Sequence, residues 1–185
     1  MYYISTRPLS KLDSIQDYDI WYSDRLKDGW SEPINAGPMI NSERDEYYIS
    51  FTTSGAMYFA SNKEDRRNFD IYKSENSEGS YTQAVLLGSK VNTSDYEADV
   101  FVDPQERYMI FCSRRPDGLG QGDLFVSFKD EDGQWTEALS LGDKVNTKEH
   151  ELCPFVSHDG KFLFYTSNKD IYWVSMDLVH ALSPS

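Results

Sequence analysis

The feature that most constrains the fold of this chain is a stretch that occurs three times with nearly the same spelling. It consists of a Gly, an Asn four residues later, a Ser or Thr directly after the Asn, and a Glu four residues further on. The Gly residues are Gly37, Gly88 and Gly142, so the stretch recurs about every 50 residues, a period that predicts a repeat architecture.

Two shorter signatures accompany the stretch, and each occurs four times. One is an Asp before an apolar pair, at Asp19, Asp70, Asp123 and Asp170. The other is an apolar run that ends on a Ser, at Ser5, Ser61, Ser113 and Ser167. A complete unit therefore contains four short strands, EYYISF, AMYFAS, DIYKS and YTQAVLLG, separated by turn residues.

The repeat divides the chain into four units at about residues 1–37, 38–88, 89–142 and 143–185 of a single domain. The first unit lacks its innermost strand and the last lacks its outermost one. The four units are therefore expected to hold three, four, four and three strands. Composition agrees with strands, because aromatic residues make up 15% of the chain and thirteen residues are Tyr. We expect an all-β protein.

The turns TSG, DPQE and SHDG, the strand LFYTS, and the DIY and Gly-to-Asn-Thr stretches resemble the WD40-like, TolB-type β-propeller repeat. The resemblance covers nearly the whole chain, although no Trp-Asp dipeptide closes the units. It implies a propeller in which each unit is one blade. Two arrangements stay open: an incomplete arc of a larger, six-bladed propeller, or a compact four-unit ring with two thinner blades. In either case the first unit leaves a blade edge exposed, through which self-association is expected.

Charge excludes two classes of partner. The chain has 31 acidic and 18 basic side chains and a formal charge of −13, which repels nucleic acid and anionic lipid. No apolar run approaches the roughly 18 residues of a membrane span, so membrane insertion is not expected. No signal-peptide pattern occurs in this chain, yet the resemblance favours the bacterial periplasm or cell envelope.

The repeated glutamates are the first candidates for chemistry. Glu46, Glu97 and Glu151 each begin a predicted innermost strand, where they could surround the mouth of a central channel. Carboxylates that share a cavity raise one another's pKa and can bind a ligand or serve as acid and base. Alternatively, each Glu accepts backbone N–H groups between neighbouring blades.

The repeated asparagines and a set of basic residues are the other candidates for ligand binding at the channel mouth. Asn41, Asn92 and Asn146 occupy the crossings between units, where Asn favours turns. Arg115 follows a second strand, and Arg66, Arg67 and Arg114 lie in nearby loops. These cations could bind an acidic substrate or a glycan, or pair with surface carboxylates.

No cofactor or metal is expected. Cys112 and Cys153 lie in apolar runs and match no metal-ligand spacing, so both are predicted to be buried thiols. His150 and His158 bracket one strand and lie roughly 26 Å apart along it, too far to share a metal.

Because no catalytic motif is present, the leading hypothesis is a non-catalytic propeller that presents its loops and channel mouth to a protein or carbohydrate ligand. The alternative is a glycan-active hydrolase or lyase. It would use the channel carboxylates Glu46, Glu97 and Glu151, with Tyr47, Tyr48 or Tyr96 as stacking platforms.

Overall fold

The computed structural model describes residues 1–10, 16–64 and 68–184. The first unit contains β1 (Tyr2–Ser5), β2 (Asp19–Tyr22), β3 (Arg25–Leu26), β4 (Gly29–Trp30) and β5 (Ile34–Asn35). The second contains β6 (Glu46–Phe51), β7 (Met57–Ser61), β8 (Asp70–Ser74), β9 (Asn76–Ser77), β10 (Ser80–Tyr81) and β11 (Val85–Leu86). The third contains β12 (Glu97–Val102), β13 (Tyr108–Ser113), β14 (Asp123–Phe128) and β15 (Leu139–Ser140). The fourth contains β16 (Leu152–Val156), β17 (Phe162–Ser167), β18 (Asp170–Ser175) and the short helix α1 (Asp177–His180).

The strands form four main antiparallel sheets, one in each unit. Their orders are β1-β2-β5, β6-β7-β8-β11, β12-β13-β14-β15 and β16-β17-β18. The sheets thus hold three, four, four and three strands, which confirms the predicted fold. Each sheet is a meander, since strands that follow one another along the chain pair with one another once the small hairpins are set aside.

The predicted outermost strand is shorter than expected. In the second unit only Val85–Leu86 pairs with the sheet, whereas Tyr81 belongs to a separate two-stranded hairpin, β9-β10. Residues Glu78 and Gly79 turn this hairpin with positive φ angles, as a tight type I′ turn requires. Between the two pieces, Ala84 donates its backbone N–H to Met39 O at 2.9 Å, so the chain bonds there to the joint between the first two units.

Apolar side chains fill the spaces between neighbouring sheets. The layer between the first and second sheets contains Ile20, Met57 and Phe59. The layer between the second and third contains Tyr58, Ile71 and Met109, and the layer between the third and fourth contains Ile110, Leu124 and Leu163. Each sheet is therefore stabilised by its neighbours and not by a core of its own.

The prediction for the two cysteines is correct for Cys112, which is buried and free, and wrong for Cys153, which is free but exposed. Cys153 has a left-handed backbone conformation, with φ of 52°, and β16 changes its register with β17 at this point. The resulting bulge turns the residue out of the regular alternation on which the prediction rested.

Candidate functional site

The three repeated glutamates are fully buried at the joints between units. One carboxylate oxygen of each accepts the hydroxyl hydrogen of a Ser at the end of the same unit's second strand. The pairs are Glu46 with Ser61 at 2.8 Å, Glu97 with Ser113 at 2.7 Å and Glu151 with Ser167 at 2.6 Å. The carboxylates therefore fasten the first strand of each unit to the second.

The other carboxylate oxygen binds the Ser or Thr that stands four residues earlier in the chain. It accepts the backbone N–H of Ser42 at 3.2 Å, Thr93 at 2.8 Å or Thr147 at 3.0 Å. The backbone N–H of each Glu then donates to the preceding unit, at Tyr18 O, Phe69 O or Gly122 O. Each Glu thus connects three segments, and its carboxylate is enclosed by protein hydrogen bonds.

Burial raises the pKa of Glu46 from its ordinary 4.5 to about 7. Hydrogen bonds from Ser42 and Ser61 oppose the shift, because they favour the ionised carboxylate, and the charge of Asp19 adds to it. Glu46 therefore titrates close to neutral pH inside the joint.

The repeated asparagines pair with the third strand of the preceding sheet. Each side-chain amide accepts the backbone N–H and donates to the backbone C=O of one apolar residue. Asn41 bonds in this way to Ile20, Asn92 to Ile71 and Asn146 to Leu124, at distances of 2.8 to 3.0 Å. The side-chain amide pairs with the backbone of that residue as a neighbouring β-strand would, and this holds the segment between the two units in place.

Arg115 lies inside the molecule, with a side chain that is only 8% exposed. Its Nη2 donates to Val91 O, and its guanidinium packs over Phe125, 5.0 Å from the ring centroid. Nε lies 3.6 Å from Glu97 Oε1, an ion pair without a well-aligned hydrogen bond. Arg66 and Arg67 lie outside the described residues, so this account includes only Arg115 and Arg114 of the predicted loop cations.

A different set of residues comes together two positions after each Glu. Tyr48, Asp99 and Cys153 have φ angles of 55°, 54° and 52°, which places all three in the left-handed region at bulges of the innermost strands. Asp99 Oδ2 accepts the backbone N–H of Cys153 at 2.9 Å. Three adjacent units therefore bring a phenol, a carboxyl and a thiol to one place, the bulge cluster.

Asp99 is the centre of the bulge cluster. Burial raises its pKa, while hydrogen bonds from Cys153 and Tyr48 hold it down. Oδ1 has no well-aligned hydrogen-bond partner among the described residues, although the Tyr48 hydroxyl is close enough to affect the pKa. A buried oxygen with unused acceptor capacity is costly unless a ligand or water satisfies it.

Cys112 and His150 lie beside the bulge cluster, with Sγ 3.4 Å from Nε2. Burial raises the pKa of the Cys112 thiol far above its usual value, and burial together with Arg114 lowers the pKa of His150. The pair is therefore a neutral thiol and a neutral imidazole, not an activated nucleophile. Within residues 1–10, 16–64 and 68–184, no group of three or more His, Cys, Asp or Glu side chains is arranged to hold a metal.

Four aromatic rings form a continuous row beside the bulge cluster, which we call the aromatic ridge: Tyr18, Tyr47, Phe69 and Tyr96. Successive ring centroids lie 5.0, 5.4 and 5.9 Å apart. Arg114 lies over Tyr96 at 4.7 Å, and Tyr47 also contacts Tyr48 at 5.8 Å. The ridge spans three units and adjoins Asp99. Burial raises the pKa of Tyr96, and the charge of Asp99 raises it further.

The sequence predicted Tyr47, Tyr48 and Tyr96 as possible stacking residues but missed Tyr18, Phe69 and Asp99. Each of these three stands next to, or two residues from, an invariant Asp or Glu of the repeat. The signal that could have found them is variation within the repeat, because the positions that never change hold the joints, whereas Tyr18, Phe69 and Asp99 stand at neighbouring positions that differ from unit to unit.

A large cavity lies at the opposite end of the innermost strands, between the third and fourth sheets. It has a volume of about 660 Å³ and is lined by residues that include Phe101, Tyr108, Phe155, His158 and His180. Two more of its residues, Asp103 and Arg107, bind each other through two hydrogen bonds of 2.8 Å. Because Asp103 and Arg107 already bind each other, they have little capacity left for hydrogen bonds with a ligand, so we consider the ridge the better candidate site.

Comparison with known proteins supports the architecture alone. No family model and no curated protein sequence matches this chain. The solved structures that match it in shape include TolB from Acinetobacter baumannii, at 16% identity and a TM-score of 0.55, and XC5397 from Xanthomonas campestris, described as a gluconolactonase, at 13% identity and a TM-score of 0.57. They cover 85% and 88% of this chain, respectively. The fold is that of a β-propeller.

The chain spans 38% of the length of the TolB structure and 46% of the gluconolactonase structure. At these identities the likeness establishes the propeller fold and not the activity of either protein. No helix in the described part of the chain is long and apolar enough to cross a membrane.

Proposed function

We propose that this chain is a non-catalytic, WD40-like propeller module that binds a carbohydrate on the aromatic ridge, beside Asp99. The ridge carries the proposal, because it is a row of four aromatic side chains in contact, with Tyr18 exposed and the other three half-buried, and aromatic side chains are groups on which sugar rings pack through their C–H groups. Binding sites typically combine such aromatic surfaces with a few convergent polar groups. Here Asp99 and Arg114 are the polar groups, one an acceptor and the other a donor.

Charge favours a neutral ligand. The chain carries a net charge of −13, which disfavours polyanionic glycans and nucleic acids at long range. A neutral oligosaccharide meets no such repulsion, and its hydroxyl groups can donate to Asp99 and accept from Arg114. A protein is the other class of ligand that the fold could bind, and a protein ligand would not need to stack on aromatic rings.

The burial of the repeated glutamates argues against a glycan-active enzyme that uses them. Glycoside hydrolysis needs two carboxyl groups that flank the scissile bond and reach the substrate. Glu46, Glu97 and Glu151 are instead enclosed at separate joints, and each is bound by a Ser and by the Ser or Thr before it. Turnover of a glycan that Glu97→Gln abolishes would contradict the non-catalytic proposal.

The proposal is tested by screening neutral oligosaccharides on an array, followed by calorimetric titration of the best ligand. Tyr18 is 42% exposed, so Tyr18→Ala removes a stacking ring with little effect on the core. We expect it to weaken binding about tenfold, which corresponds to about 1.4 kcal/mol.

Tyr172 provides a matched control, because it is 43% exposed but lies in β18 of the fourth sheet, away from the ridge. Tyr172→Ala should leave the affinity unchanged. The proposal fails if no neutral oligosaccharide binds at millimolar concentration, or if Tyr18→Ala and Tyr172→Ala have the same effect.

A further inference from the structure

One face of the fourth sheet is apolar and uncovered. Phe155, Phe164 and Trp173 are direct neighbours across the three strands, and they are 58%, 36% and 61% exposed. Phe162 and Ile171, on the same face, are 36% and 69% exposed. We call these five residues the open face.

The same positions are buried in the third sheet. Ser113 pairs with Asp123 as Ser167 pairs with Asp170, so Ile110, Leu124 and Val126 of the third sheet correspond to Phe164, Ile171 and Trp173. All three residues of the third sheet are fully buried, in a layer that includes Leu163 and Tyr165 of the fourth sheet. The open face therefore resembles the faces on which neighbouring sheets pack within the molecule.

Among the described residues, the first sheet offers no matching open surface. On the face of the first sheet that points away from the second sheet, the large apolar residue is Trp21. Its side chain is only 6% exposed, and the Arg7 guanidinium lies 5.7 Å from the centroid of its ring. A second copy could not pack its first sheet on the open face without uncovering Trp21. The exposure of the open face argues against the compact four-unit ring, because none of the described residues of the first sheet covers it.

Size and charge suit a contact between two identical faces. With about 200 Å² on a large apolar side chain, the exposed fractions amount to roughly 500 Å² per copy, so two copies would bury about 1,000 Å². That area is near the lower limit for specific interfaces. None of the five residues is charged, so two copies can approach at this face despite a charge of −13 on each.

We propose that the open face is a dimerisation surface, on which a second copy packs its own open face about a two-fold axis. Two-fold dimers are the commonest soluble oligomers, because one self-complementary surface satisfies both partners and the assembly stops at two. The proposed dimer contact lies at the fourth sheet, whereas the sequence predicted self-association through an exposed blade edge of the first unit.

Sedimentation equilibrium on the full chain, from about 1 to 200 μM at 0.15 M salt, tests the proposal. We expect a reversible monomer–dimer equilibrium with no larger species. Trp173→Ser and Ile171→Ser should each weaken dimerisation at least tenfold without lowering the thermal unfolding midpoint of the monomer, because both residues are mostly exposed.

Two controls make the result specific. Trp30→Ser removes a Trp that is 46% exposed on the small β3-β4 hairpin, and it should leave dimerisation unchanged. Tyr3→Ser alters the outward side of the first sheet and should also have no effect. A protein that stays monomeric at 200 μM, a dimer that tolerates both open-face substitutions, a chain-like series of oligomers, or loss of dimer in Tyr3→Ser would each overturn the proposal.

Discussion

Glu97 Oε1 accepts a hydrogen bond from Ser113 Oγ at 2.7 Å, and both residues are fully or almost fully buried. The two residues stand directly opposite each other on β12 and β13, at the edge where the chain enters the third sheet. The same pair recurs in the second and fourth units. The repeated Glu is thus a fixed part of the joint between units.

The hydrogen bond between Glu97 and Ser113 should stabilise the fold, because both of its partners are buried. Ser113→Ala removes one partner of a buried carboxylate that still binds Thr93, so we expect a loss of about 1–2 kcal/mol in the free energy of unfolding. Urea unfolding measures it. Ser80→Ala, at an exposed position of β10, should change stability by less than about 0.5 kcal/mol. Equal effects of the two substitutions would contradict the role of the bond.

Asn92 should be more important than any exposed Asn, because it completes the backbone pairing of a buried residue. Its amide bonds to both Ile71 N and Ile71 O and also donates to Leu87 O. Asn92→Ala removes the partner of Ile71 N and of Leu87 O, whereas Ile71 O keeps the Leu87 backbone N–H at 3.0 Å, so we expect a loss of about 3 kcal/mol by urea unfolding.

Two further variants define the cause of that loss. Asn92→Asp keeps the acceptor and removes the donor, so it should be nearly as destabilising as Ala, because a carboxylate would face two carbonyl oxygens. Asn68→Ala removes a single bond to Ser94 O near the surface and should cost about 1 kcal/mol or less. If Asn92→Asp is as stable as the native protein, the amide donor is not what holds the crossing.

Glu46 should make stability depend on pH in the direction opposite to that of a salt-bridged acid. Its pKa in the folded protein is raised to about 7, so the folded state binds the proton more tightly than the unfolded state does. The contribution is fully present below the unfolded pKa near 4.5 and is lost as pH rises through about 7. Between pH 4.5 and 7 this effect lowers the free energy of unfolding by at most about 3 kcal/mol.

Glu46→Gln should remove this dependence, because the amide keeps the shape of the side chain and cannot titrate. The measurement is the free energy of unfolding of the native and variant proteins at half-unit intervals from pH 4.5 to 8. The difference between the two proteins should change across that window, and a constant difference would show that Glu46 ionises as an ordinary carboxyl.

The repeat was enough to predict the sheets, because strand length, turn residues and period all follow from local sequence. It did not predict that the outermost strand would break at Thr82. There the Thr82 backbone N–H donates to Glu75 O, and its side-chain oxygen accepts the Glu75 N–H, contacts that depend on the small hairpin. Nor could the bulge cluster be predicted, because left-handed Tyr48, Asp99 and Cys153 carry no Gly to mark the position.

The two thiols should differ sharply in reactivity, and the difference tests the bulge cluster. Cys153 is exposed and Cys112 is buried, so a disulfide reagent should label one thiol in the native protein and the second only after unfolding. Burial raises the pKa of the Cys153 thiol, and the charge and hydrogen bond of Asp99 raise it further, whereas Thr166 lowers it. Native Cys153 should therefore react more slowly at pH 7.5 than a free thiol.

Asp99→Asn removes the negative charge beside Cys153, so the thiol pKa should fall and labelling at pH 7.5 should become several-fold faster. The control is Asp95→Asn, which changes an acidic residue in the same crossing that contributes nothing to the Cys153 shift. Measuring the rate from pH 6.5 to 9.5 separates the two causes. A lowered pKa moves the whole profile to lower pH, whereas a loosened structure raises the plateau rate and also exposes Cys112. If Asp99→Asn leaves the profile in place, Asp99 does not lie against Cys153 in solution, and the bulge cluster is not formed as described.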